Sequence, residues 1–480
     1  GNAGPNLRSA LRLSSNPSYR NSHLGFRVGF QQITEPPTDL RIAGQATSAA
    51  MLKNIAYEGN SSYPAEFTEF NREVYFKASD RNGFELWKTD GTESGTVMVK
   101  DITPGTDPWG GPGNFIVFDN ALYFAANGGS GNELWKSDGT ASGTVLVKDI
   151  YPGNDNFGNI ASSNPGNLTE FNGALYFSAT DGNGTELWKS DGTELGTIMV
   201  KDILQVDGFG GVGSGSPQEL TVFNGALYFS ATDENGTELW KSDGTESGTL
   251  MVKDILIDDG FGGVGSSNPM DLTVFDGAIY FSAMDANGRE LWKSDGTASG
   301  TVMLKDIYFG EDDLGNVQDG NPSDFTEFDG ALYFSATDAN GTELWKSDGT
   351  ESGTIVIKDL FPGENDWGDA NSGYPSNLTV LNNELLFDAM DGNGTELWKT
   401  DGTLSGTVMV KDINPEGNSS SPLDLKVLGD KVYFYANDGT HGYELWESDG
   451  TPDGTKLHND INPGSAGSAG FREMYDGYKI

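Results

Sequence analysis

Two recurrent constellations hold most of the groups that could do chemistry. The first is Asp-x-Asn-Gly-x-Glu, present at Asp80/Asn82, Asp181/Asn183, Asp233/Asn235, Asp285/Asn287, Asp338/Asn340 and Asp391/Asn393. Side-chain oxygens at alternate positions suit a hard cation, and Ca2+ is the one cofactor this pattern raises. The spacing is shorter than an EF-hand loop, and the same residues suit an Asx-turn closed by a left-handed glycine. The second constellation places an aromatic or leucine before glycine at Trp109, Phe157, Phe209, Phe261, Leu314 and Trp367. Acidic residues precede them at Asp107, Asp155, Asp207, Asp259, Asp313 and Asp366. Exposed, these side chains would form a broken ring for sugar stacking or subunit docking. Buried, each would be the small core of its own loop.

Other chemistries find little material. The histidines are His23, His441 and His458, too few for a histidine-based metal centre or triad. Cysteine is absent, which removes disulfides, thiolate metal sites and cysteine nucleophiles. Carboxylates are so frequent that no glycosidase pair stands out. With 29 Lys+Arg against 71 Asp+Glu the 480-residue chain carries a net charge of −42. That charge disfavours nucleic acid and anionic lipid as partners. The 36% hydrophobic and 11% aromatic content is that of a folding chain.

The elements that position these groups come from a repeat. Glu-Leu-Trp recurs eight times, at Trp87, Trp135, Trp188, Trp240, Trp292, Trp345, Trp398 and Trp446, spaced by 48, 53, 52, 52, 53, 53 and 48 residues. A period near 50 built from short alternating segments indicates a β-propeller. In the copy at 219–255, strands are expected at 219–223, 226–231, 238–242 and 249–255. Asn224-Gly225 suits a type I′ turn between the first two. The expected fold is all-β, an eight-bladed propeller of four-stranded antiparallel blades, with the tryptophans buried between blades. The Asp-x-Asn-Gly turns and the long interblade loops then share one face. The Asp-Gly-Thr turns (Asp191, Asp243, Asp348) lie on the other and cap themselves.

Glu186-Leu-Trp-Lys-Ser-Asp-Gly-Thr193, repeated at 238–245 and 343–350, resembles the ELWxxDGT repeat of large bacterial surface and secreted proteins. The resemblance covers residues 51–464 and implies an extracellular or cell-surface location, with no catalytic residues to carry over. A second one lies at the amino terminus. Asn6-Leu7-Arg8-Ser9-Ala10, Arg12, Pro17, Arg20 and Gly25-Phe26-Arg27-Val28 resemble the last segment of the formylglycine-generating (sulfatase-modifying factor) fold. The organisation expected is a remnant of that domain at 1–30, a linker at 31–50, the propeller at 51–464 and the start of a ninth repeat at 465–480. Residues 51–55 read as a surplus outer strand with no blade before it. The functional expectation is a non-enzymatic scaffold, adhesion or self-assembly unit, partnered by itself in an oligomer or filament or by cell-surface polysaccharide. Its alternatives are a carbohydrate-binding module using the aromatic loops and, more distantly, an accessory part of a hydrolase.

Overall fold

The computed structural model describes residues 52–461, apart from 57–61, 81–82, 103–110, 156–157, 209, 259, 261–262, 313–314 and 366–367. It is an eight-bladed β-propeller, with no helix among the described residues. Blades 1 to 8 span 65–100, 113–148, 166–201, 218–253, 270–305, 323–358, 376–411 and 423–459. Each is a separate antiparallel sheet whose four strands follow one another in chain order. The inner strands adjoin one another from blade to blade, which places them around the axis.

Blade 4 shows why the repeat folds this way. Its strands are Gln218–Phe223, Ala226–Asp233, Gly236–Ser242 and Leu250–Lys253. The first two join through Asn224 and Gly225 at φ +45° and +75°, the left-handed pair that a type I′ turn requires. The outer strand stops at Lys253, short of the expected 255, because Asp254 already starts the loop. In the second strand Leu227, Tyr228, Phe229, Ser230 and Ala231 are all buried, since both faces of a blade are covered by neighbours.

The core consists of seams between consecutive blades. At the seam of blades 3 and 4, Phe171, Tyr176, Leu187, Val200 and Ile203 meet Leu227, Phe229, Ala231 and Trp240 of the next blade. Each repeat tryptophan is thereby buried, and such burial is worth about 1.5–3 kcal/mol. Lys201 completes the contact. Its Nζ lies 5.8 Å from the Trp240 ring centroid and donates to the Thr249 carbonyl at 2.9 Å.

Candidate functional site

Every inner strand opens with Pro-x-(Asp/Glu/Asn), and that third residue adopts a left-handed backbone. The eight are Glu66, Asn114, Asn167, Glu219, Asp271, Asp324, Asn377 and Asp424, with φ between +56° and +61°. A β-bulge falls at the same place in each blade; in blade 4 the register shifts between Gln218 and Thr221. The bulge breaks the alternation of the strand, and the side chains reach along the ring. The Glu66 carboxylate accepts the amide N–H of Asn114, and Asn114 Nδ2 donates to the Pro165 carbonyl at 3.0 Å. Glu219 accepts the amides of Asp271 and Leu272. The result is a ring of eight polar side chains around the axis.

Charge on this ring is uneven. In blade 1, Glu66 is paired with Lys77 at 2.9 Å, and blades 2 and 3 contribute neutral asparagines. Blades 4 to 8 contribute Glu219, Asp271, Asp324 and Asp424, and the buried Asp388 joins them from the second strand of blade 7. Asp388 is held by Asn377 Nδ2 at 2.8 Å and Ser376 Oγ at 2.9 Å. Burial, reinforced by Asp324, pushes it up to about 7. Burial and the charge of Asp271 push Glu219 to about 7 and Asp324 to about 6. Burial also raises Asp424, against the pull of Lys426. Arg289, which feels the charges of Asp319 and Asp271, donates to the Asn268 carbonyl at 3.0 Å. Five carboxylates thus lie along one side of the bore, a concentration of negative charge, once ionised, that favours cations and amines.

On the loop face, the glutamate of each Glu-Leu-Trp is fully buried. It anchors the interblade loop. Glu238 accepts Ile255 N–H at 2.9 Å, Ser267 N–H at 2.9 Å and Ser267 Oγ–H at 2.5 Å. Glu186, Glu290 and Glu343 face Gly215, Gly320 and Gly373 in place of that serine. Lacking the hydroxyl donor, these three are pushed by burial to about 7.

The Asp-x-Asn-Gly turns lie beside these loops and are Asx-turns. Asp181 accepts Asn183 N–H at 2.7 Å and Asn183 Nδ2 at 3.1 Å. The same pair of bonds joins Asn235 to Asp233, Asn287 to Asp285, Asn340 to Asp338 and Asn393 to Asp391. Residues expected to offer their oxygens to Ca2+ therefore face one another. Asn183, Asn235, Asn287, Asn340 and Asn393 act as donors, and both oxygens of each aspartate are engaged within its own turn. Among the described residues no three carboxylates or histidines converge as a metal set. Asp80 ends the second strand of blade 1 at the equivalent turn. Its companion Asn82 lies outside the described residues, as do the loop residues Trp109, Phe157, Phe209, Phe261, Leu314 and Trp367. Of the acidic neighbours of those loop residues, Asp155 and Asp207 cap their own loops, accepting Asn159 N–H at 2.8 Å and Gly211 N–H at 2.6 Å.

Both described histidines are paired with carboxylates: His441 with Asp438 and His458 with Glu447, each at 2.7 Å. The axial ring was missed in the sequence, although its signal, Pro-x-(Asp/Glu/Asn) once per repeat, is plain there.

No family model and no curated protein matches this chain. Among solved structures it is similar to a prolyl endopeptidase at 12% identity, with 72% of this chain and 49% of that chain covered and a TM-score of 0.41. It is similar to a puromycin-hydrolysing peptidase of Mycobacterium tuberculosis at 9% identity, covering 79% and 59%, TM-score 0.39. A third is the β-propeller domain of the trilobed protease of Pyrococcus furiosus, at 11% identity, covering 71% and 95%, TM-score 0.35. The chain spans about half the length of the first of these. The expectation of a scaffold, adhesion or self-assembly unit, with sugar binding as its alternative, is corrected here. The chains it is similar to are peptidases and hydrolases, and at such identities the likeness is one of fold.

Proposed function

We propose that this chain is a hydrolase-associated propeller, which seats a companion catalytic domain on its loop face and admits amine-bearing substrates through its acidic bore. The observation that carries it is an arc of exposed apolar side chains on the interblade loops. Ile160, Val206, Val212, Ile257, Val264 and Val317 are 45–74% exposed. They stand on or beside short hairpins closed by the bridges Asn154↔Ile160, Val206↔Val212, Asp258↔Val264 and Glu311↔Val317. Among the described residues these side chains belong to no blade seam, and exposed apolar surface repeated on one face is suited to a protein interface. Behind the arc, the five carboxylates give the bore its preference for positive charge. On this reading the chain contributes binding, and bond cleavage belongs to the companion.

The reading is tested with labelled tri-lysine and tri-alanine peptides by fluorescence anisotropy. Tri-lysine is expected to bind, more weakly as salt rises, and to lose most of its binding in Glu219→Gln/Asp271→Asn. Equal binding of the two peptides overturns the bore. For the face, Ile257→Asp/Val264→Asp in the native protein is expected to lower peptidase turnover without lowering Tm. Unchanged turnover overturns the docking.

A further inference from the structure

The regular seams share a set of contacts. A lysine of the preceding outer strand donates to the threonine carbonyl that ends the next blade's Asp-Gly-Thr turn. Lys100 does so to Thr144 at 2.6 Å, Lys148 to Thr197 at 2.8 Å, Lys253 to Thr301 at 2.8 Å and Lys411 to Thr455 at 2.6 Å. A tyrosine of the preceding blade lies against the turn glycine. A Cβ added at Gly192, Gly244 or Gly296 would sit 2.0–2.2 Å from the hydroxyl of Tyr123, Tyr176 or Tyr228.

Blade 1 receives these contacts from a different source. The carbonyl of Thr96 accepts Lys53 Nζ at 2.7 Å. Ile55 packs against Phe76, Ala78 and Trp87, as Ile203 packs in the seam to blade 4. Leu52-Lys53-Asn54-Ile55 thus reproduces Val200-Lys201-Asp202-Ile203 in sequence and in contact, although it is not a strand. The site on blade 1 is therefore already filled when blade 8 arrives. Blade 8 in turn lacks the fittings. Asn459 replaces the outer-strand lysine, and Glu447 replaces the third-strand lysine and is bound by Lys431 and His458, both at 2.7 Å. Leu428 is 41% exposed, where its counterparts in blades 1 to 7 are 2–8% exposed. A Cβ added at Gly91 would meet nothing within 4 Å, so no tyrosine covers that turn.

We propose that residues 52–56 are a detachable strap that takes the place of a preceding blade, and that the ring opens at this seam while the others hold. Whatever acts on residues 1–51 then acts on the latch of the ring. The proposal is independent of the peptide-binding reading.

The chain has no cysteine, so single thiols can report the opening. Ala56→Cys in the strap is compared with Ala231→Cys at the regular seam of blades 3 and 4; both alanines are buried. Under native conditions the Ala56→Cys thiol is expected to react about tenfold faster or more. Adding Lys53→Ala should speed it further and leave the Ala231→Cys thiol unchanged. Native hydrogen exchange on the unmodified chain gives a second reading, with Gly83–Thr89 and Lys456–Asn459 exchanging ahead of Gly236–Ser242. Equal thiol rates at both sites, or exchange that is uniform around the ring, overturn the proposal.

Discussion

Glu238 and Asp243 belong to the same eight-residue motif and accept hydrogen bonds of similar length, yet their surroundings drive them in opposite directions. Glu238 is buried against the loop it anchors, and burial raises it above the usual carboxylate range despite three donors. Asp243 lies at the exposed Asp-Gly-Thr turn, where Thr245 N–H at 2.9 Å and Thr245 Oγ1–H at 2.7 Å hold it below that range. The difference is desolvation. Donors that fully compensate a surface carboxylate only partly compensate one removed from water.

The largest consequence is a stability profile that favours mild acid. Glu186, Glu290 and Glu343 titrate near 7 when folded and near 4.5 when unfolded. Between those values the native state binds more protons, so stability falls as pH rises from about 4.5 to about 7. The lowered Asp-Gly-Thr carboxylates act in the other direction. Their contribution is complete above the unfolded value of 3.8 and is lost as pH falls below it. Thermal melts should therefore peak near pH 5. Repulsion from the net charge has the same sign above pH 5, and Glu186→Gln separates the two by flattening the slope without removing it. A melting temperature that rises steadily to pH 8 would refute the buried-glutamate account.

Next in size, Glu238→Ala strands the buried N–H of Ser267 and the partly buried N–H of Ile255 and should cost about 3 kcal/mol in urea unfolding. Ser267→Ala removes one donor and should cost about 1 kcal/mol, leaving Glu238 in the situation of Glu186. A smaller effect is expected at the exposed turn. Asp243→Ala should lower Tm by a few degrees at most, and the loss should shrink as pH falls below the unfolded value of 3.8 and the carboxylate takes up its proton. The smallest concerns calcium. Because Asp181 and its equivalents spend both oxygens on their own turn, chelator is expected to shift Tm by less than about one degree. A larger loss, restored by calcium, would show that the turns rearrange around an ion.

What could be read in the sequence was what repeats locally. The Glu-Leu-Trp period, the Asn-Gly turns and the order of four strands depend on contacts within about fifty residues, and all are visible as pattern. For Glu219, Asp271 and their equivalents the recurring Pro-x-(Asp/Glu/Asn) is visible, but the bulge that turns them into a ring is not. Plain alternation through Glu219-Leu-Thr-Val-Phe223 gives no hint that residue 219 turns left-handed and reaches the next blade. Residues 51–55 were legible as a spare copy of an outer strand. That residues 52–55 dock without becoming a strand depends on a blade-1 surface assembled from Phe76, Ala78 and Trp87, which no local pattern announces.

The strap also fixes an order of events in synthesis. A ring closed by pairing its two chain ends leaves the first blade waiting for the last, with apolar surface open to other chains meanwhile. Here the cover for Phe76, Ala78 and Trp87 leaves the ribosome before they do. Blade 1 can be sealed as soon as it folds, and each later blade emerges onto a finished neighbour. The leading face of blade 1 is covered from the start, and the eighth blade packs on blade 7 without a bare face of blade 1 waiting to receive it.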